Sequence, residues 1–226
     1  MGEASEVIIP LFGVLDVTGE VLLMWVICFV LILISALVTR RLKERPGKLQ
    51  NLLEAGVEYL DNFFTGIIGK RATRKYFYFL GSLFDFIIFA NYSGLIPGVG
   101  LTPYFKAPTS SLSVTLGLGV VTFAFLQFAS IRAGGGRHYL KRFVTPIAVM
   151  LPLLILDEFI KPVSLSLRLF GNIFGEETVT EELYGLLPIG APVIMMALSL
   201  LFCAIQAVVF TMLVSIYLDE AIEVEA

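Results

Sequence analysis

Residues 21–38 form an apolar run without a single charged side chain, and this run limits the folds open to the chain. At about 1.5 Å per residue, a helix of this length is just long enough to cross the hydrocarbon core of a bilayer. The composition agrees, because 57% of the 226 residues are hydrophobic and 15% are charged, against roughly 25% charged in an ordinary soluble domain. A single soluble core cannot cover that much apolar surface. The sequence therefore predicts an integral membrane protein and excludes a soluble enzyme, a disordered chain and a disulfide scaffold.

Further apolar stretches follow the first and alternate with basic clusters. The membrane segments that we predict are residues 21–38, 76–96, 112–131, a broken and tilted region at 143–184, and 188–218. Residues 47–69 instead alternate apolar and acidic side chains at helical spacing, which favours a helix on the membrane surface. The predicted fold is an all-α integral membrane protein: a single polytopic domain with about five membrane-crossing helices and one surface amphipathic helix.

The basic residues predict the orientation of these segments. Thirteen of the sixteen fall in three clusters, which follow the first crossing, precede the second and follow the third. These clusters share one side of the membrane, and the positive-inside rule assigns that side to the cytoplasm. Residues 1–20 are then external, and residues 219–226 form a cytoplasmic tail if the region after residue 143 crosses twice.

No motif in the sequence indicates a cofactor, a resident metal ion or a hydrolytic triad. Cys28 and Cys203 lie inside apolar runs and are interpreted as small hydrophobic residues. The three glycines at 134–136 predict a flexible turn and do not match a phosphate-binding loop. The basic residues are not gathered on one face, so we expect no nucleic-acid partner.

Arg168 is a charged residue inside an otherwise apolar stretch, where a charge is unexpected. Apolar or small residues flank it on both sides, and an arginine at membrane depth costs about 2.5–3.5 kcal/mol on insertion scales. The guanidinium stays charged because its pKa is too high for it to lose the proton. Arg168 therefore marks a functional site, or else it is an interfacial arginine paired with a lipid headgroup.

Acidic residues flank Arg168 at spacings that suggest an ion path. Glu177 lies nine residues after it, and Asp157 and Glu158 lie eleven and ten before it. On a helix these spacings place the carboxylates roughly 13–17 Å from the guanidinium, too far for a salt bridge. The pattern predicts two half-paths separated by a positive barrier. For Glu176 and Glu177, a solvated helix end is the alternative.

Three polar residues and one lysine stand in or beside other apolar runs. Gln206 either hydrogen-bonds to Arg168 or joins two helices, which is the commoner role. Asp85, with Asn91 nearer the end of the same segment, is a candidate for the ion path or a locally bonded carboxyl that faces a partner helix. Lys161 is interpreted as a boundary residue.

The twelve-residue stretch at 161–172, Lys-Pro-Val-Ser-Leu-Ser-Leu-Arg-Leu-Phe-Gly-Asn, closely resembles the signature of subunit a of F-type ATP synthases. The resemblance extends to residues 90–98, to residues 107–116 and to Ile-Gln-Ala at 205–207. It covers the chain from about residue 62 to residue 219. The acidic pair at 157–158 is similar to that of the bacterial and chloroplast-like branch.

The resemblance implies a subunit that lies against a rotating ring of c subunits, each with an ion-binding carboxylate in mid-membrane. Arg168 would interact with the passing carboxylate and separate two aqueous half-channels. The other residues implied by similarity are Glu177 on the outer half-channel, Asp157 and Glu158 near the cytoplasmic one, and Gln206 and Asn172 in support of Arg168. The last two helices would be long and tilted along the ring.

The same resemblance implies partners and a location, and this sequence departs from the family pattern at two positions. The partners are the c-subunit ring, the b-type peripheral stalk, other ATP synthase subunits and membrane lipid, in a bacterial-type plasma membrane. The chain would be no enzyme by itself, and the transported ion is H⁺ or Na⁺. Ser199 replaces a residue that is His or Gly in relatives, and Asp85 occupies a usually apolar place. We hypothesise that Asp85 and Glu177 serve the outer half-channel together.

Two other functions remain open at this stage. One is a free-standing membrane transporter or channel that uses an intramembrane arginine as a substrate clamp. The other is a structural membrane subunit that conducts no ion.

Overall fold

Five long helices and a short β-hairpin make up the described part of the chain in a computed structural model. The described residues are 7–11, 15–40, 47–95, 107–144, 151–186 and 190–222. The elements in chain order are β1 (Val7–Leu11), β2 (Leu15–Thr18), α1 (Gly19–Thr39), α2 (Lys48–Ser93), a 3₁₀ turn (Pro108–Ser110), α3 (Leu112–Val144), α4 (Leu151–Leu186) and α5 (Ala191–Ile222). The predicted all-α membrane class is confirmed, because helices make up almost all of these elements.

The hairpin before α1 is a feature that the sequence analysis did not predict. β1 and β2 are antiparallel, and Val7 is paired with Thr18 and Pro10 with Asp16. The β-branched run that begins at Val7 favours an extended strand. Pro10 is tolerated because both strands of a two-stranded sheet are edge strands.

Three helices of the described chain are long and apolar enough to cross a membrane, fewer than the five crossings predicted. They are Gly19–Thr39, Leu112–Ala133 and Val193–Ile222. The long helices α2 and α4 are not among them, and both carry several charged side chains, including Asp85 in α2 and Arg168 in α4. Two further crossings stay a prediction.

A break at Gly69 divides α2 into two parts. Gly69 has φ 75° and ψ 157°, a conformation outside the helical region. Before the break, apolar side chains are exposed, such as Leu52 at 69% and Val57 at 53%. The helix reaches the core at Phe64 and Ile68, just before the break, and continues in it to Ser93. The first part covers the predicted surface helix, and the second part covers most of the segment predicted at 76–96.

One predicted interruption is wrong. Helix α3 continues through the glycines at 134–136, where a turn was predicted, because a glycine costs a helix only about 1 kcal/mol. Helix α4 is continuous through Pro162, but the break predicted within 143–184 stays a prediction, since residues 145–150 lie outside the described ranges. The Ser166 hydroxyl donates to the Pro162 carbonyl oxygen at 2.8 Å, and such side-chain bonds help a membrane helix to tolerate proline.

Helices α2, α3, α4 and α5 share one apolar core, in which α2 packs mainly on α5 and α3 on α4. Its fully buried side chains include Leu80, Ile87, Ala129, Leu169, Phe210, Val214 and Leu218. Helix α1 lies at the edge, and most of its side chains are exposed. In a membrane these exposed apolar side chains face lipid.

Helices α3 and α4 approach closely at Gly119, which lies against Pro162 and Ser166 of the arginine motif. A β-carbon at this position would meet the Ser166 hydroxyl and would lie 2.9 Å from the Pro162 carbonyl oxygen. The missing side chain therefore lets the two helices touch, as small residues do in membrane bundles.

Gly69→Ala tests the break in α2. No atom lies within 4 Å of a β-carbon placed there, so the cost comes from the backbone conformation alone and should be about 1–3 kcal/mol. Gly66→Ala is the matched control, since it has equal space and shows no left-handed φ. We expect thermal unfolding of the purified chain in detergent to shift down for Gly69→Ala only. Equal midpoints for the two variants would contradict the break.

Gly119→Ala tests the contact between α3 and α4. Overpacking of this kind costs about 1–3 kcal/mol, and the backbone carbonyl of Pro162 cannot move aside as a side chain can. Gly117→Ala is the control, because a β-carbon there has no atom within 4 Å. We expect a lower unfolding midpoint for Gly119→Ala, and an equal or higher one for Gly117→Ala because alanine favours a helix over glycine by about 1 kcal/mol. An unfolding midpoint that Gly119→Ala leaves unchanged would show that the two helices can separate at no cost in stability.

Candidate functional site

Arg168 lies on the exposed face of α4. Its neighbours Leu165 and Leu169 point into the core, at 2% and 0% exposure, whereas Leu167 is 50% exposed. No hydrogen bond or ion pair joins Arg168 to another residue in the described ranges. The guanidinium therefore projects away from the core of this chain.

Exposed apolar side chains are frequent on α4 and α5. They include Ile160, Val163, Leu167, Phe174, Val193, Ile194, Leu198, Leu201 and Ile205. A permanent charge at membrane depth is costly unless an anion compensates it. The described residues place no hydrogen-bonded or ion-paired anion at Arg168.

Asn172 and Gln206 join α4 to α5 one turn beyond Arg168. The Asn172 side-chain amide donates to Gln206 Oε1 at 2.6 Å. Gln206 is 3% exposed, and its Nε2 is buried without a hydrogen-bond partner. Of the two roles considered for Gln206, the structure shows the bond between helices and no bond to Arg168.

A polar cluster lies where the end of α2 meets the 3₁₀ turn and α5, and we call this the far end. Asn91 is 2% exposed, and its amide lies 3.5 Å from the Cys203 carbonyl oxygen. The Tyr92 hydroxyl donates to the Leu200 carbonyl oxygen at 3.2 Å. Asn91 Oδ1 and Thr109 Oγ1 are both buried without a partner. Buried polar atoms of this kind are usually satisfied by water.

Glu176 is part of the far end because it is hydrogen-bonded to Ser199. A side-chain hydrogen bond links the two residues, and the Ser199 hydroxyl also lies 2.8 Å from the Met195 carbonyl oxygen. Glu177 is half-buried, and nine residues of helix turn its side chain to the side of α4 opposite Arg168. The structure thus brings Glu176 and Ser199 together across α4 and α5.

Asp85 lies apart from this cluster. Its side chain is exposed, whereas Leu83 and Ile87 on the same helix are buried in the core shared with α5. No hydrogen bond or ion pair joins Asp85 to another residue in the described part of the chain. The hypothesis that Asp85 and Glu177 act together stays a prediction. Unchanged ATP synthesis by Asp85→Asn would contradict it.

Asp157 and Glu158 lie at the opposite end of α4, which we call the basic end because Arg40, Lys70 and Arg132 mark it on the other helices. Asp157 is exposed and Glu158 is half-buried. Within the described residues, no group of three or more His, Cys, Asp or Glu side chains is placed to hold a metal ion.

Several polar residues of these clusters were not singled out from the sequence. Tyr92 and Thr109 occur in a stretch of mixed polarity, where nothing distinguishes a buried hydroxyl from an exposed one. Gln127 of α3 did carry a signal, because it is a lone amide in the apolar segment predicted at 112–131. It donates to Glu158 Oε2 at 3.0 Å.

A double-mutant cycle tests the bond between Asn172 and Gln206. Asn172→Ala and Gln206→Ala should show a coupling energy of about 0.6 kcal/mol or more in unfolding experiments, the average for hydrogen bonds between membrane helices. Thr178→Ala combined with Gln206→Ala is the control pair, because Thr178 bonds only within α4. These control effects should add within about 0.5 kcal/mol. Additive effects for Asn172 and Gln206 would contradict the bond.

Comparisons with known proteins show the family of this chain. A sequence model of the family described as ATP synthase A chain matches residues 21–219. The chain is 38% identical over 206 residues to the ATP synthase subunit a of Moorella thermoacetica, and the match covers 91% of each chain. The matched region contains Arg168 and the far end. The chain belongs to the ATP synthase subunit a family.

Proposed function

We propose that this chain forms two aqueous half-channels that carry protons or Na⁺ to and from the carboxylates of a rotating c-subunit ring. Arg168 separates the two half-channels, and ion flow through them is coupled to ATP synthesis and hydrolysis. The chain catalyses no reaction by itself and acts as the ion-translocating part of the complex. Other ATP synthase subunits are its partners, and among them we propose the c ring and the b-type stalk.

The uncompensated charge of Arg168 carries this proposal. A guanidinium without an intrachain partner, set in an apolar surface, needs an anion that arrives from another molecule. A carboxylate in the middle of a ring helix has the right charge and the right depth. Because the contact forms only while a carboxylate passes, the surface around Arg168 has to stay smooth and apolar.

The far end supports an outer half-channel. Gln206, Thr109 and Asn91 each have a buried polar atom without a partner in the described chain. Water that satisfied these atoms would form part of a hydrated route toward Arg168, because Gln206 and Asn172 lie next to it in the helix packing. An aqueous route on one side only is what a half-channel requires.

Glu176 and Ser199 have a geometry suited to proton transfer. The Ser199 hydroxyl has one proton, which it can donate either to the Met195 carbonyl oxygen or to the Glu176 carboxylate. A protonated Glu176 can instead donate to Ser199 while Ser199 donates to Met195. The hydrogen-bond pattern therefore changes with the protonation of Glu176, as a relay group requires.

The orientation follows from the three basic clusters. We propose that the basic end faces the cytoplasm of a bacterial-type cell and that the far end faces outward, with residue 1 outside and the C-terminus inside. Each elementary charge that crosses at a potential of 100 mV then supplies about 2.3 kcal/mol to rotation.

A free-standing transporter and a purely structural subunit are the rival functions. The transporter is the weaker rival, because Arg168 points out of the chain instead of into a pocket within it. Transport by the purified chain alone would favour the transporter. A structural subunit would tolerate the loss of the guanidinium.

Arg168→Ala in the intact complex decides among these functions. We expect coupled ATP synthesis in membrane vesicles to fall at least tenfold and passive ion leakage to rise, because the cation between the two half-channels is lost. Assembly should remain normal, since Arg168 contributes no described contact within the chain. Arg132→Ala is the control, because it removes the same group from the basic end of α3, and it should keep synthesis. Coupled synthesis retained in Arg168→Ala would refute the proposal.

A further inference from the structure

Glu158 is held by side chains from α3, α4 and α5. Its Oε2 accepts a hydrogen bond from Gln127 Nε2 at 3.0 Å, and its Oε1 lies 3.8 Å from Lys161 Nζ. Lys161 Nζ in turn contacts Glu220 Oε2 of α5 at 2.9 Å. We call these four residues the α3–α5 clamp. Three helices are thereby joined at the basic end.

Lys161 and Glu158 of the clamp are mostly shielded from solvent, whereas the Glu220 side chain is 52% exposed. The Lys161 and Glu158 side chains are 14% and 17% exposed, and Lys161 Nζ also lies 5.3 Å from the centre of the Tyr217 ring. The sequence interpretation of Lys161 as a simple boundary residue is therefore incomplete. Both oxygens of Glu158 are occupied by neighbours, so this carboxylate is poorly suited to exchange ions.

Asp157 differs from Glu158 in both exposure and bonding. Its side chain is exposed, and no hydrogen bond or ion pair joins it to another residue in the described part of the chain. Eleven residues separate it from Arg168, which is three helical turns and about 20°. Asp157 and Arg168 therefore share one face of α4, about 16 Å apart along its axis, whereas Glu158 is turned about 80° away.

We propose that Asp157 is the carboxylate that exchanges ions on the basic side, and that Glu158 is a positioning residue. The clamp fixes the rotation of α4 about its axis and thereby the direction in which Asp157 and Arg168 point. This proposal rests on the function proposed above and assigns different roles to two neighbouring acids that the sequence treats as a pair.

Substitutions of the two acids in the intact complex test the proposal, with ATP synthesis measured per assembled complex in membrane vesicles. Asp157→Asn should lower the rate at least fivefold, and Asp157→Glu should restore more than half of it. Glu158→Gln keeps an oxygen for the bond from Gln127 and should stay within twofold of the parent rate.

The positioning role has a readout of its own. Glu158→Leu removes the acceptor for Gln127 and the partner of Lys161, so we expect less assembled complex and a lower midpoint of thermal inactivation. Glu158→Gln should recover most of both quantities. Gln127→Leu should reproduce the loss of stability, since it breaks the same bond from the α3 side.

The rival assignment makes Glu158 the ion-exchanging group, reached through a small cleft that Gln127, Glu158 and Lys161 help to line. A Glu158→Gln rate as low as that of Asp157→Asn, or an unaffected Asp157→Asn, overturns the proposal. Arg168→Ala distinguishes a wrong assignment of Asp157 from a wrong proposed function of the whole chain. If Arg168→Ala abolishes coupling while Asp157→Asn is silent, only the assignment of Asp157 is wrong.

Discussion

The charge of Arg168 is the constraint on which the rest of this structure depends. It cannot be removed by a change of pH, because a guanidinium keeps its proton in all ordinary conditions. It is also left without an anion among the described residues of its own chain. The proposed function accounts for this exposed charge by an anion that another subunit brings to it.

The polar side chains around this cation fall into two kinds. Those of the α3–α5 clamp have partners inside the chain and hold helices together. Those of the far end include buried atoms without partners, at Asn91, Thr109 and Gln206. In a membrane, where water is scarce and unsatisfied polar atoms are costly, the second kind indicates places that water has to reach. Side-chain bonds thus join helices at the basic end, whereas the buried atoms without partners lie toward the far end, apart from the Tyr76 hydroxyl of α2.

The sequence was sufficient for the membrane class, because that depends on composition, and for the family, because the motif around Arg168 is distinctive. It was insufficient where a contact between distant segments distinguishes similar residues. Glu158 differs from Asp157 through its contacts with Lys161 and with Gln127, thirty-one positions away, and Glu176 differs from Glu177 through its hydrogen bond to Ser199. The turn predicted at 134–136 failed for another reason, since a helix can tolerate glycines that local rules count as a break.

The break at Gly69 lets one helix serve two surroundings. The part of α2 before Gly69 carries exposed leucines and valines, as a helix at the boundary between headgroups and acyl chains would, while Phe64 and Ile68 near its end are buried in the core. Helix α2 packs on α5, which is joined to α4. A first part that lies at the membrane surface would therefore set the depth of Arg168. An error of one residue along a helix corresponds to about 1.5 Å of height, a large fraction of the distance over which a guanidinium and a carboxylate can meet.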